Sequence, residues 1–214
     1  MTSKRRLGVE TAKNRSRLID AAVELMVEEG YAAVTARKVA AKAGLKVQLV
    51  YYYFKDMDDL ILAVVKRNSV KRMKRFVRTL AGPDPLRAIW VMNRDSTSAA
   101  STTELLALAN HRETIRSEVV RAAKEFRHLQ IEAVEQLLGD YGLDREKVPP
   151  AAVVTIIAAL SRAMAQDSAL GVDEGYPEAV ALVERGLDWL VQQGDGGAGG
   201  GDSVPREVPG LDES

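Results

Sequence analysis

The sequence predicts an all-α fold of about nine helices. Apolar residues recur every three or four positions along most of the chain, which is the period of an amphipathic helix. Sustained alternation of apolar and polar residues, the mark of a half-buried strand, does not occur. The chain has 214 residues, of which 46% are hydrophobic and 28% charged. This composition is typical of a folded globular protein.

The first third of the chain predicts three helices joined by tight turns. The first covers about residues 13–29, where apolar residues share one face, and Gly30 follows as a stop. Thr35 is placed to cap a second helix of about two turns, which Gly44 ends. Residues 47–53 have strand propensity, but no flanking segment could pair with them as a strand. A third short helix is therefore predicted there.

Longer helices follow. Asp56, Asp58 and Asp59 supply the negative charge that stabilises a helix N-terminus, and this fourth helix runs until Gly82 and Pro83 break it. The chain from residue 194 is rich in glycine and proline, which predicts a disordered tail over 194–214. Between these segments, the apolar period and the prolines predict further helices at residues 85–98, 102–109, 113–140, 149–170 and 178–193.

The formal net charge of zero conceals a division within the chain. Residues 1–80 hold 18 Lys and Arg against 8 Asp and Glu, a net charge of +10. Residues 81–214 hold the remaining 12 of 30 basic and 22 of 30 acidic residues, a net charge of −10. Because Lys and Arg supply most of the non-specific affinity for nucleic acids, the N-terminal part is a candidate for binding a polyanion. Solvated helix faces would explain the charge equally well.

Several classes of function are disfavoured by composition. The chain has no cysteine, so it can form neither a disulfide nor a cysteine-ligated metal centre. Its two histidines, His111 and His128, are too few for most histidine-based catalytic or metal sites. No apolar run is long enough to span a membrane, and the N-terminus lacks the apolar core of a secretory signal. We expect a cytoplasmic protein without metal, cofactor or membrane contact, and not an enzyme.

The second and third predicted helices, with the glycine turn between them, form a helix-turn-helix within the basic part of the chain. Residues 15–65 read RSRLIDAAVELMVEEGYAAVTARKVAAKAGLKVQLVYYYFKDMDDLILAVV. This string resembles the tetracycline-repressor (TetR) family of bacterial regulators. The residues that carry the resemblance are Gly30-Tyr31, Thr35, Val39-Ala40, Ala43-Gly44-Leu45, Tyr51 and Phe54.

The resemblance implies a one-component transcriptional regulator, usually a repressor, that binds palindromic operator DNA as a homodimer and is released by a small hydrophobic effector. It divides the chain into a DNA-binding domain at residues 1–56, a ligand-binding and dimerisation domain at 57–193, and the tail. Two alternatives are an architectural or constitutive DNA-binding protein without an effector and an all-α enzyme or carrier. The absence of a nucleophile–base pair disfavours the enzyme.

The resemblance also assigns DNA contacts. Gln48, in the leading turn of the recognition helix, is the best candidate for a contact to adenine, and Arg37 could bind guanine or a phosphate. Lys55 stands nearest to a lysine that many family members have near the start of the fourth helix, where this chain has Met57. The full set of predicted DNA contacts is Thr35, Arg37, Lys46, Val47, Gln48, Tyr51, Tyr52, Tyr53 and Lys55.

The remaining predictions concern the effector and the dimer. Asn93 falls where the apolar period predicts burial, and a buried amide needs a partner, which a ligand could be. The basic stripe Arg67, Lys71, Lys74, Arg75 and Arg78 is either a solvated face or a site for an anionic effector such as an acyl-coenzyme A. Residues predicted to contact the effector are Trp90, Asn93, Leu106, Asn110, Phe126, Arg127 and Met164. Residues predicted at the dimer interface are Val153, Ile156, Leu160, Val183, Leu187 and Leu190.

Overall fold

A computed structural model describes residues 2–94 and 105–195, with side chains from residue 11 to residue 192. Within these ranges every regular element is a helix, which confirms the all-α prediction. No helix in these ranges is long and apolar enough to cross a membrane. The elements are α1 (Thr2–Glu29), a 3₁₀ turn (Tyr31–Ala33), α2 (Ala36–Lys42), α3 (Val47–Tyr53), α4 (Met57–Leu80), α5 (Pro85–Arg94), α6 (105–109), α7 (Glu113–Asp140), α8 (Pro150–Ser168) and α9 (Tyr176–Asp195).

Most predicted helices are present, and their ends differ from the prediction at a few places. Helix α1 begins at Thr2 rather than near residue 13, because its first turns consist largely of polar residues with good helix propensity and carry little apolar periodicity. Pro149 precedes α8 as its N-cap, and Pro150 occupies the first turn. Helix α9 continues to Asp195, two residues into the predicted tail. The rest of that tail and residues 95–104 lie outside the described residues.

The turns around α2 form as the sequence predicts. Gly30, which follows α1, has a positive φ of 79°. The Thr35 hydroxyl accepts a hydrogen bond from the Lys38 amide at 3.4 Å and so caps α2. Gly44 has a φ of 64°, a left-handed conformation that favours glycine. The Leu45 amide donates back to the Ala40 carbonyl at 2.9 Å, as in a Schellman motif, so the chain reverses into α3.

The chain divides into two compact units. Of the described residues, the first contains 2–73 and 105–126, and the second contains 74–94 and 127–195. The core of the first unit is built from α1 to α3, the first turns of α4, and Leu108, Ala109 and Ile115. The first unit is thus larger than the predicted domain at 1–56, because residues from α4, α6 and α7 complete its core.

In the second unit, α5 packs against α8 and α9. Leu86 and Trp90 of α5 form one cluster with Ile157 of α8 and Leu187 of α9. The Trp90 indole donates a hydrogen bond to Glu184 at 3.0 Å. At the edge of this cluster, the Arg87 guanidinium forms ion pairs with three carboxylates, from Asp84, Glu184 and Asp188.

Candidate nucleic-acid interface

The recognition helix α3 is fixed by two buried residues. Val50 and Phe54 are each 1% exposed and belong to the core of the first unit. The Phe54 amide donates to the Val50 carbonyl at 2.9 Å, which closes the last turn. A helix of seven residues is too short to be stable by itself in water, so this packing holds it. The helix agrees with the sequence prediction.

The opposite face of α3 is open to solvent. Gln48 is exposed, and the side chains of Tyr51 and Tyr52 are 62% and 72% exposed. Tyr53 is half-buried and packs against the core. Its ring meets the Tyr52 ring edge to face, with centroids 4.9 Å apart. Gln48, Tyr51 and Tyr52 therefore form the outward surface of α3, while Tyr53 supports it from below.

Two of the predicted contact residues also have structural roles. Val47 is half-buried against the core of the first unit. The Thr35 hydroxyl accepts the α2 cap bond described above, and its side chain lies at the exposed start of α2. A hydroxyl that accepts one hydrogen bond can still donate another, so Thr35 can cap α2 and donate to a phosphate.

The cations of the helix-turn-helix fall into two sets. Lys38 pairs with Glu29 at 2.6 Å, and Lys42 pairs with Glu28 at 2.7 Å. The hydrogen bond to Glu28 raises the pKa of Lys42 above its ordinary value. The acidic end of α1 thus neutralises these two lysines.

The second set comprises Arg37, Lys46 and Lys55. All three are exposed, and none forms an ion pair with another residue of the described part of the chain. They lie at the start of α2, at the start of α3 and just after α3. Their charges are therefore available to phosphates beside the exposed face of α3.

The position of Lys55 is set by the acidic start of α4. The Asp56 carboxylate accepts a hydrogen bond from the Asp59 amide at 2.8 Å and caps the helix. The Asp59 carboxylate in turn accepts one from the Lys55 amide at 3.1 Å. Asp58 forms an ion pair with Arg112, which immediately precedes α7. These bonds fix the backbone that carries the Lys55 side chain.

Three arginines stabilise the helix-turn-helix through contacts within the first unit. The sequence analysis did not assign this role to them. Arg17 donates to the Ala43 carbonyl at 2.5 Å, next to the turn at Gly44. The Arg15 guanidinium lies 5.1 Å from the centre of the Phe54 ring. Arg67 of α4 donates to Ser16 at 3.2 Å and pairs with Asp20, which joins α4 to α1. The partners of Arg67 lie 47 and 51 positions away in the sequence, so no local pattern could have revealed these contacts.

The interpretation of the basic stripe on α4 changes accordingly. Neither a solvated face nor an effector site describes Arg67, because its guanidinium is bound to α1 and its side chain is 21% exposed. Lys71 is exposed and lies 4.0 Å from Asp20. Lys74 and Arg78 are exposed near the end of α4.

The residues predicted to contact an effector do not all lie in one unit or share one environment. Leu106 and Asn110 are exposed, and Phe126 is buried with the Arg72 guanidinium 4.0 Å from its ring centre. These three belong to the first unit, whereas Trp90, Asn93, Arg127 and Met164 belong to the second.

In the second unit, the argument that Asn93 requires a ligand is wrong. Its amide donates to the Ile89 carbonyl at 2.9 Å, one turn earlier in the same helix. Arg127 donates to the Thr155 hydroxyl at 3.1 Å. Trp90 is fully buried, and Met164 packs against the same cluster.

The six residues predicted at the dimer interface differ in exposure. Leu187 is 5% exposed and lies in the core of its own chain. Four more of the predicted residues are partly buried against that core: Val153, Leu160, Val183 and Leu190. Ile156 alone among the six is strongly exposed, at 63%. Leu182 and Trp189, which the sequence prediction does not include, are 64% and 53% exposed on α9.

Comparison with known proteins identifies the helix-turn-helix. Residues 18–64 match the family described as bacterial regulatory proteins, tetR family. The chain is similar to this family over that region. The match contains α2, α3, the turn between them and the buried pair Val50 and Phe54, so the interface described above lies within the matched region.

The curated relatives that match this chain are named as regulators. The HTH-type transcriptional regulator BetI of Stenotrophomonas maltophilia is 38% identical over 101 residues, which are 44% of this chain and 50% of BetI. The matched segments span 30% to 50% of the length of the curated relatives. These names agree with the predicted role in transcriptional regulation.

Solved structures share the fold over most of the chain. A transcriptional regulator from Rhodococcus is 18% identical with a TM-score of 0.61, and the match covers 83% of this chain and 94% of the other. FadR of Bacillus subtilis, solved in complex with stearoyl-CoA, is 17% identical with a TM-score of 0.54, covering 83% of this chain and 98% of FadR. The chain thus shares its fold with these regulators beyond the helix-turn-helix.

The two sets of cations predict different responses to salt. Lys55→Ala should weaken binding to all duplexes about equally and lower the slope of log K against log salt by roughly one per half-site, because one phosphate contact is lost. Lys42→Ala is the matched control and should leave the slope unchanged, since its charge is already paired with Glu28. Salt titrations of both variants by fluorescence anisotropy measure the slopes. Equal slopes for Lys55→Ala and the wild type would contradict the assignment of Lys55 to a phosphate.

Proposed function

We propose that the protein is a homodimeric transcriptional repressor that binds palindromic operator DNA and is released by a small hydrophobic effector. The observation that carries this proposal is the exposed surface of α3 with unpaired cations on both sides of it. Gln48, Tyr51 and Tyr52 face outward. Lys46 and Lys55 stand before and after α3, and Arg37 lies in the first turn of α2.

The chemistry of this surface suits the major groove of DNA. The glutamine amide N–H can donate to adenine N7 while the amide oxygen accepts from adenine N6, so Gln48 is suited to base recognition. The lysines and the arginine are suited to phosphates, which give affinity and fix orientation without reading sequence. The tyrosines offer both an aromatic face and a hydroxyl donor. Their combination favours a sequence-specific DNA reader over a general polyanion binder.

A two-fold dimer supports this function because a single seven-residue helix contacts only a few base pairs. Dimers place two recognition helices in successive major grooves, about one helical turn of DNA apart. The exposed apolar side chains Ile156 of α8 and Leu182 and Trp189 of α9 offer a surface for the second copy. The other faces of both helices already pack against α5. Burial of such side chains stabilises an interface by about 25 cal/mol per Å² of apolar area.

The effector belongs to the second unit in this proposal. That unit combines an apolar cluster around Trp90 with α8 and α9, the helices that offer the dimer surface. A ligand that enters the cluster and moves these helices would change the separation of the two recognition helices and so the affinity for the operator. FadR of Bacillus subtilis, which shares the fold, was solved with stearoyl-CoA. Its ligand carries a long apolar chain.

Selection of bound duplexes from a random DNA pool tests the function. We expect an inverted repeat whose half-sites lie about 10 base pairs apart or at a multiple of that spacing. Gln48→Ala should cost about 1–3 kcal/mol per half-site on the selected duplex and much less on random DNA, because an amide carries no charge. A pool without enrichment, or an equal loss on both duplexes, would count against a sequence-specific repressor.

The dimer surface is tested separately. Leu182→Asp should shift the protein to monomers in sedimentation velocity runs, because an unpaired carboxylate in an apolar interface is strongly destabilising. Val91→Asp is the control, since Val91 is 56% exposed on α5, away from α8 and α9, and should leave the dimer intact. If Leu182→Asp sediments as the wild type does, the dimer uses another surface.

A further inference from the structure

Two polar side chains are buried in the part of the chain that the structure describes. Gln130 of α7 is 3% exposed, and Ser161 of α8 is 4% exposed. Both belong to the second unit, and both are uncharged. The side chains buried with them in this unit are apolar, among them Phe76, Val134 and Leu138.

Ser161 stands out because its hydroxyl has no hydrogen-bond partner. A serine inside a helix can donate to the carbonyl one turn earlier, which here is that of Ile157, but Ser161 does not. Leaving a buried hydroxyl unpaired is costly, so native proteins rarely do so. An alanine at this position would avoid that cost. The hydroxyl is thus free to bind a group from outside the chain.

The position of Ser161 connects it to the apolar cluster. Helix α8 buries Val154, Ile157 and Ser161 on one stripe. Ile157 packs in the cluster with Trp90 and Leu86, and Ser161 follows it by one turn. A molecule that hydrogen-bonds to Ser161 would therefore lie next to apolar side chains on the same face of α8.

We propose that Ser161 recognises the effector and that this effector is a neutral, mainly apolar molecule with a hydroxyl or carbonyl group. The inference rests on the proposed function and specifies the chemistry of its ligand. The Ser161 hydroxyl supplies a hydrogen-bond donor and an acceptor. The Gln130 amide supplies another donor and acceptor within the same unit. The ligand is an alcohol, ketone or amide in chemical type.

The charges of the second unit explain why the ligand is neutral. No charged side chain is buried in the described ranges, so a carboxylate placed beside Ser161 would lack a counterion. Arg87 is already bound by three carboxylates, and Arg127 donates to Thr155. Burying a neutral hydroxyl avoids the desolvation cost of burying an ion.

The two tryptophans of the chain provide a direct assay. Trp90 is fully buried in the cluster, whereas Trp189 is 53% exposed on α9. Trp189→Phe leaves Trp90 as the single tryptophan, so its fluorescence reports on the interior of the second unit. In this background, 1-decanol should change the Trp90 emission with saturable binding. Decanoate, which has the same chain length and a negative charge, should bind at least about tenfold more weakly.

Removal of the hydroxyl is the decisive variant. Ser161→Ala should weaken 1-decanol binding by about 3- to 10-fold, the effect of one hydrogen bond. Ser168→Ala is the control on the same helix, because its hydroxyl bonds to Asp173 at the exposed end of α8 and should leave binding unchanged. Failure of 1-decanol to bind, equal binding of decanoate, or equal affinity of Ser161→Ala would overturn the proposal.

Stability provides a second readout that needs no ligand. Ser161→Ala should unfold at the same or a higher urea concentration than the wild type, since it removes an unpaired buried hydroxyl. A lower midpoint would show that the hydroxyl has a partner within the folded chain and would overturn the proposal.

Ser161→Ala should also bind the selected operator as the wild type does. A wild type that selects no DNA would instead refute the proposed function, whatever the Trp90 measurement shows.

Discussion

The burial of Val50 and Phe54 is the constraint on which the DNA-reading surface depends. Helix α3 has seven residues, and its own hydrogen bonds cannot keep it folded. Its conformation is imposed by the core beneath it, which α1, α2 and the first turns of α4 supply. Leu108, Ala109 and Ile115 belong to that same core. Residues more than fifty positions beyond α3 therefore help to hold the helix that carries Gln48.

The structure shows how the positive charge of the N-terminal part is distributed. The net charge of +10 in residues 1–80 does not form a single basic surface. Arg17 and Arg67 bind backbone and carboxylate groups within the first unit, and Lys38 and Lys42 pair with the acidic end of α1. Only part of the positive charge is left beside α3. Net charge thus indicates that a polyanion is a candidate partner, but the ion pairs decide where it could bind.

Local signals in the sequence were sufficient for the helices and for the turn. Thr35 and Gly44 act through bonds to residues within four or five positions, and Val50 and Phe54 lie one helical turn apart. Such features can be read from spacing alone. Contacts between distant segments could not be read in this way. Arg67 is joined to Asp20, and Arg112 to Asp58, by pairings for which the sequence contains no periodic pattern.

The effector and dimer residues show a second limit of the sequence. Helices α8 and α9 have apolar residues on more than one face, and periodicity does not tell which face packs within the chain. Leu187 was predicted for a partner and lies in its own core, whereas Trp189, two positions later, is exposed. The Asn93 amide was interpreted as a ligand group, yet it is satisfied by its own helix. The unpaired Ser161 hydroxyl is visible only once the surrounding packing is known.

Hydrogen exchange of the α3 amides is the measurement that tests the shared core most directly. Ile115→Ala removes a fully buried side chain and should destabilise the first unit by about 2–5 kcal/mol. Because α3 depends on the same core, its amides should exchange at least about tenfold faster in this variant than in the wild type. Val120→Ala, at a 43% exposed position of the same helix, should leave them unchanged. Unchanged exchange of α3 in Ile115→Ala would contradict the dependence of the recognition helix on the core that α7 completes.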